Sequence, residues 1–482
     1  MEYFHLDYGL LSEAPDLVKT VSALGKLKDT CPEYIQKAEA NQRQARRFAR
    51  EEILPRFLDI DSKCSKDPTY IDWDLWRKAN KEKLNLAFMP EKRGGLGSKS
   101  LGAFCLIEEL VGACMGSTAN ILFNNFGLLG AMVECRTGIL MKIIREMVDA
   151  NRHEKPIFWA WAITEPSAGT DVEDAHAMAT MKPSAHAEKV EGGYRLNGRK
   201  CFITNGNIAD YVITTVCLDR SDPLASMATF IVPATASGFS VGKVERKCGQ
   251  KASQTAELIF EDLFVAKENL WEPPGRGLRH TREILSTTRG LIGAAGLGIA
   301  RSALERCIQF ANQKKIKGHR LIEEQWVQIA IADMMKDIKA VRAACINFAV
   351  AVDTQHVRQI YDALPVKLSL KCLPERFLLS DTLLRLAGSS LFNKMAQDYK
   401  NKLITDAVVE KFVKEGSAVK VAGTDLAMKV TSRVLDIVGI EGMAYRYGIE
   451  KCFRDAKVTQ IYEGTNQANL LDLFHAEVGI HM

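Results

Sequence analysis

Five short stretches decide the fold: FWAWAIT (158–164), YRLNGRKCFIT (194–204), YVITTVCL (211–218), ATFIV (228–232) and TAELIF (255–260). Each is rich in β-branched and aromatic residues, which suit a pleated, half-buried surface. Turn signals separate them, among them Glu191-Gly192-Gly193 and Asn197-Gly198. Gly and Asn supply the left-handed backbone that tight hairpins need. The even spacing of the runs predicts a small antiparallel barrel or sandwich over 157–275.

Outside that span the apolar periodicity is helical. Upstream, 33–58, 74–81, 101–115, 118–134 and 138–150 are helix candidates, interrupted by the Gly-rich loop MPEKRGGLGSKS at 89–100. Pro273-Pro274-Gly275 ends the strand region. Beyond it 278–313, 321–352, 376–400, 404–415 and 416–438 read as long helices. Helices, then strands, then helices describe an α+β chain with segregated layers. The expected domains are 1–156 (with 1–37 an extension), 157–275 and 276–482.

A chain of 482 residues is too long for one compact core and fits two or three. Its net charge of +5 is small and dispersed, so it does not by itself argue for a nucleic-acid partner, and it is compatible with a polyanionic small ligand. No CxxC pair or zinc-spaced His cluster occurs among the 12 cysteines. That pattern implies reduced, buried thiols in a cytoplasmic protein and no metal centre. The segment MEYFHLDYGLLSEAPD lacks the basic and apolar regions of a leader. No apolar run reaches 18 residues, so no membrane span is expected.

Three segments can carry chemistry. AITEPSAGTD (162–171) is a loop with Gly and hydroxyls after an apolar run; its backbone N–H groups can approach an anion or a ring edge. KCFITNG (200–206) offers Phe202 and Thr204 at period two, on one side of a strand, where they can flank a planar group. IYEGTNQ (461–467) puts Glu463 on a turn in helical sequence, where a carboxylate can act as a general base. Each alone also reads as ordinary turn, core or solvated surface. Rossmann and P-loop fingerprints are absent, and GAAGLG (293–298) sits in a helical pattern, where small residues permit close packing.

Taken in order, PEKRGGLG, AITEPSAGTD, YRLNGRKCFITNG, TAELIFEDLFVAKENL and RDAKVTQIYEGTNQ resemble the acyl-CoA dehydrogenase family. The resemblance runs from about residue 38 to the C-terminus, apart from one insertion near 355–412. It implies an N-terminal helical domain, a middle β domain and a C-terminal four-helix bundle. It also implies an FAD cofactor, an acyl-CoA substrate, an electron-transfer flavoprotein partner and a homotetramer or homodimer. By the same resemblance Trp161, Ile163, Thr164, Thr170, Phe202, Ile203 and Thr204 would meet the flavin. Thr465, Gln467, Lys314, Gln325, Asp436 and Gly439 would meet FAD phosphate or adenosine groups. Thr170, Ser286, Arg289 and Gly464 would meet substrate, and Glu463 would be the base. A family subgroup carries its base at the position of Thr288, which cannot serve. The chain departs where the family has RKTFG (here Lys314-Lys315-Ile316-Lys317-Gly318) and QxxGG (here Asp436 to Ile440), and Ser286 stands where an Asp is common. Ser117, Thr118, Asn120, Asn124 and Asn125 hint at a polar acyl part, or else at interhelical hydrogen bonding. A nucleic-acid-binding relative, an oxidase and an enoyl-CoA reductase are the alternative readings.

Overall fold

Helix α1 (Pro32–Phe48) opens on Pro32, whose missing N–H is harmless in a first turn. Ile35, Ala38, Gln42, Ala45 and Phe48 form its buried stripe. The single helix expected over 33–58 does not form. The chain passes through a π turn, Ala49–Ile53, and restarts after Pro55 as α2 (Phe57–Lys66), because proline cannot donate to the helical ladder. Next come α3 (Trp73–Lys81), α4 (Ser100–Ala113), α5 (Met115–Val133) and α6 (Thr137–Arg152). All residues of α4 are buried. This computed structural model describes residues 3–6, 16–133, 137–356 and 380–479.

Eight strands form one sheet: β1 (Trp159–Ala162), β2 (His186–Val190), β3 (Gly193–Thr204), β4 (Tyr211–Cys217), β5 (Met227–Pro233), β6 (Phe239–Val244), β7 (Thr255–Ala266) and β8 (Leu270–Glu272). Their order is β6-β7-β3-β2-β4-β5-β8, with β1 beside β4. The sheet is mixed, where a wholly antiparallel one was expected: β1 and β2 each run parallel to β4. Parallel neighbours need a long crossover, here the excursion through the β2–β3 hairpin, and residue alternation carries no record of strand direction. Glu191-Gly192 is the hairpin turn, with Gly192 at φ +76°. Asn197-Gly198 instead lies inside β3 at a bulge. One face of the sheet buries Leu196, Val212, Phe230 and Leu258. On the other, Ile143, Ile144 and Met147 of α6 pack with Trp159, Ile213 and Trp271.

Beyond the sheet stand α7 (Gly277–Gln313), α8 (Gln325–Gln355), α9 (Asp381–Gly388), α10 (Ser390–Leu403), α11 (Asp406–Gly442), α12 (Ile449–Thr459) and α13 (Asn466–Val478). The pair of helices expected at 404–415 and 416–438 is one helix, α11, which kinks at Gly439 (φ +57°). α7 and α11 approach closely at the GAAGLG segment. A Cβ on Gly296 would lie 2.4 Å from the Gly423 carbonyl oxygen, so this crossing requires glycine. α7 also packs on α4, and one core joins the N- and C-terminal helices. Of the expected insertion, 357–379 fall outside the described residues. Its described part, α9 and α10, links both helical regions: Asp381 pairs with Arg145 of α6, and Lys400 is buried 3.0 Å from Glu283 of α7. Among the described residues no helix is long and apolar enough to cross a membrane.

Candidate active site

A cavity of about 310 Å³ lies between the sheet and the C-terminal helices. One wall is the end of β1 and the loop after it: Trp161, Ile163, Thr164, Gly169 and Thr170. A second is Phe202, Ile203 and Thr204 of β3. Facing them is the turn Ile461 to Thr465, and Phe123, Phe126, Leu285 and Glu173 complete the lining.

The two sheet-borne walls are tied together from behind. Lys200, 1% exposed, donates to the carbonyls of Ile163 (2.9 Å) and Thr215 (2.6 Å) and to Glu165 (2.8 Å). Glu165 in turn accepts from Ser184 and Ala185. The pair is buried and its hydrogen bonds are met, which is the condition under which buried charge is tolerable. Beyond Lys200 the strand bulges before Ile203, and Phe202 takes φ +58°. The expected period-two alignment of Phe202 with Thr204 is therefore broken, yet both line the cavity. Phe202 is 61% exposed, an aromatic face held open at a backbone cost.

The opposite wall is a forced turn. Glu463 (φ +57°) and Gly464 (φ +76°) are consecutive left-handed residues between α12 and α13. Thr465 caps α13 by accepting from the Ala468 N–H at 3.2 Å. The turn's carbonyls are gripped from three elements. Arg289 Nε donates to Glu463 O (3.2 Å), Lys420 Nζ to Gly464 O (2.7 Å), and Asn469 Nδ2 to the carbonyls of Glu463, Gly464 and Thr465. A left-handed non-glycine residue costs energy and persists where its surroundings over-determine it.

Burial pushes the Glu463 carboxyl up to about 7, reinforced by the negative charge of Glu173; a hydrogen bond from Thr288 and the cations Arg289 and Lys420 pull the other way. Thr288 Oγ1 donates to Glu463 Oε2 at 2.6 Å. Burial, helped by Arg289, lowers the Lys420 ammonium to about 7. Glu173 is raised by burial although Arg289 opposes it. The Arg289 guanidinium is fully buried between Glu173 (2.7 Å) and Asp472 (2.6 Å). A carboxyl near 7 on an apolar wall is suited to take a proton at neutral pH.

The chain matches the N-terminal domain of acyl-CoA dehydrogenases over 36–135, the middle domain over 160–263 and the C-terminal domain over 275–372 and 385–476. It belongs to the acyl-CoA dehydrogenase family. A cyclohex-1-ene-1-carbonyl-CoA dehydrogenase of Syntrophus aciditrophicus is 28% identical, over 91% of this chain and 89% of its own. A short-chain-specific acyl-CoA dehydrogenase of Megasphaera elsdenii is 28% identical, over 88% and 93%. Butyryl-CoA dehydrogenase of the same organism superposes with a TM-score of 0.69 at 25% identity, covering 92% of this chain and 98% of its own.

Acyl-CoA dehydrogenases are flavoproteins, and this cavity has features that suit a flavin. Trp161 lines it, and its buried indole Nε1 has no hydrogen-bond partner among the described residues. Phe202 offers an open ring, and two threonine hydroxyls, Thr164 and Thr204, stand on the same walls. Thr170, Ile163, Ile203, Gly464 and Thr465 are also brought here. Other expected site residues are not. Ser286 is buried, donates to Glu283 O and meets His356 Nε2 at 3.0 Å. Arg289 lies behind the Glu463 turn. Gln467 is exposed on α13. Lys314 and Gln325 flank the hairpin after α7, and Lys314 pairs with Glu441 near the α11 kink that carries Asp436 and Gly439.

The polar residues of α5 do not line the cavity. Asn120 bonds Ala252 O and Gln254 N, Asn124 bonds Asn85 O and Trp159 N, and Asn125 bonds Leu84 O and Ala87 N. They fasten α5 to its neighbours. Glu173, Lys420, Phe123, Phe126 and Leu285 escaped the sequence reading because each is one ordinary residue of a helix or loop, significant only by what it faces.

Proposed function

We propose that this chain is an FAD-dependent acyl-CoA dehydrogenase of domains 1–156, 157–275 and 276–482, with Glu463 as the base that removes the α-proton of a CoA thioester. The observation that carries the reading is Glu463 itself: a half-buried carboxyl raised to about 7 by desolvation, on a clamped turn across the cavity from Phe202 and Thr204. The Glu463 backbone N–H would donate to the thioester carbonyl, which stabilises charge developing on oxygen and acidifies the α-carbon. Trp161, Ile163, Thr164, Thr170, Phe202, Ile203 and Thr204 would hold the flavin ring, and bound FAD would supply hydride acceptance from the β-carbon. Gly464 and Thr170 would border the acyl-CoA.

Lys314, Gln325, Asp436, Gly439 and Gln467 stand away from this cavity, which supports assigning them to the site of a second copy. Trp326, Ile329 and Ile440 are 49, 64 and 92% exposed near those residues, and such apolar surface favours association, here as a homotetramer. An electron-transfer flavoprotein is the proposed electron acceptor.

The acyl group we assign is short or cyclic. Phe123 meets Phe126 and Tyr462 edge-on at 5.3 and 5.5 Å, and all three line the cavity, an aromatic wall that favours a compact acyl group. A cavity of about 310 Å³ is at the small end of ligand sites, which run from about 300 to 1,000 Å³. The names of the Syntrophus and Megasphaera relatives agree with this choice. The test is anaerobic bleaching of the flavin band by a panel of acyl-CoAs. Bleaching by butyryl-CoA or cyclohex-1-ene-1-carbonyl-CoA, and little by palmitoyl-CoA, is the expected outcome. A flavin that none of them bleaches would remove the dehydrogenase reading.

A further inference from the structure

Glu463 has two carboxylate oxygens, and among the described residues one of them, Oε2, is engaged. Thr288, fully buried on α7, donates to Oε2 at 2.6 Å. Among the described residues no other side chain donates to this carboxylate. A helix-interior threonine ordinarily returns its hydroxyl proton to the carbonyl four residues back. Here that carbonyl, Ile284 O, lies 3.3 Å from Thr288 Oγ1, so the hydroxyl has two acceptors and one proton. An ionised carboxylate outcompetes a carbonyl for that proton. The β-branched side chain is stiff, so the donor does not follow the carboxylate if the latter moves.

We infer that Thr288 is a positioning residue for the base: its hydroxyl pins Oε2 toward α7 while Glu463 is ionised, leaves Oε1 for the substrate, and swings back to Ile284 O once Glu463 carries the proton. The inference rests on the assignment of Glu463 as base. The bond favours the ionised carboxylate, opposing the effect of burial. Other charges that face Glu463 come from each packed element. Glu173, from the loop after β1, opposes ionisation, while Arg289 on α7 and Lys420 on α11 favour it. Asp472 on α13 neutralises part of the Arg289 charge. Tyr462 precedes Glu463 on the turn. None of these reaches Oε2 as a hydrogen-bond donor. Thr288 therefore acts by geometry as well as charge, which separates it from the rest of the cluster.

The experiment compares wild-type protein with T288V and T288S. Infrared titration follows the Glu463 carboxyl, assigned by its absence in E463Q. Single-turnover flavin reduction by butyryl-CoA and cyclohex-1-ene-1-carbonyl-CoA is followed over pH in the FAD-loaded enzyme. In T288V the carboxyl and the acid limb of the rate should both move up by about one to two pH units, the worth of a charge-assisted hydrogen bond. The plateau rate should fall roughly tenfold from lost alignment, with flavin content unchanged. T288S, which keeps the hydroxyl, should titrate with wild type. A T288V titration that coincides with wild type overturns the inference, and so does a T288S titration displaced as far as T288V. The infrared titration needs no flavin, so it decides the matter even if T288V binds FAD poorly. If no acyl-CoA reduces the wild-type flavin, the dehydrogenase reading fails while the titration still reports on Thr288.

Discussion

Gly464 and Gly192 share φ +76°, and substituting alanine at each separates two costs. At Gly192, the β2–β3 hairpin tip, an added Cβ meets nothing within 4 Å. G192A therefore bears only the left-handed backbone cost, about 1–2 kcal/mol. At Gly464 the Cβ would lie 2.8 Å from Glu173 Oε2 and 2.9 Å from both Arg289 Nη2 and Asn469 Nδ2. Those atoms hold one another and the turn, so they cannot swing away singly. Overpacking of this kind adds about 1–3 kcal/mol, for a total of about 2–5 kcal/mol in G464A. Any relief must come from moving the turn, and a displacement near 1 Å costs on the order of a hundredfold in rate. Urea unfolding of both variants, with single-turnover flavin reduction by butyryl-CoA, reads both quantities. G192A should lose about 1–2 kcal/mol and no rate; G464A should lose about 2–5 kcal/mol and about two orders of magnitude in rate. Equal stability losses and equal rates would refute the view that the Glu173, Arg289 and Asn469 contacts fix the Glu463 turn.

Other outcomes follow from the same interactions. With the Glu463 carboxyl near 7, kcat/KM should fall about tenfold per pH unit below about pH 7, and a profile flat to pH 5.5 would contradict the assignment. Because that pKa is raised above 4.5, the folded state binds the proton more tightly, so ionisation lowers stability as pH rises from 4.5 to 7. E463Q should therefore be more stable than wild type at pH 8, by about 2–3 kcal/mol, in urea unfolding, and nearly inactive. Glu109 has the opposite sign. Burial would raise it, but Arg301 and Arg46 outweigh burial and hold it at about 2, so its contribution is present above 4.5 and lost as pH falls toward 2. E109Q should cost about 3–5 kcal/mol at pH 7 by leaving those arginines short of a partner, with a shallower acid dependence. K200M should lower flavin content, measured by absorbance per protomer, because it unties the two sheet-borne cavity walls.

Strand positions were legible in the residues because they depend on a local signal, β-branched runs between glycines, and Glu463 stood out as a Glu-Gly turn amid helical sequence, which the structure places on the cavity wall. Strand direction was not, since YVITTVCL alternates identically whether its neighbour runs with it or against it. Asn197-Gly198 carried a turn signal and became a bulge, because β7 was there to pair with β3 on both sides of it. The asparagines of α5 were ambiguous until their partners on β1, just after α3 and just before β7 were in place. Thr288, excluded as a base by its chemistry, touches Glu463, the proposed base; a residue type says what a group cannot do, and only its neighbours say what it does.

The left-handed Glu463 sets this protein's evolutionary liability. Glycine at 463 would relieve both the backbone strain and the desolvation of a carboxylate, so if Glu463 is the base, as proposed, the fold would gain stability from the very substitution that silences turnover. Mutation and selection for folding alone thus push in the same direction, toward a sturdier, inactive descendant. Only continued demand for turnover keeps glutamate there, and a lineage released from that demand should lose this residue early, before the core around it shows any change.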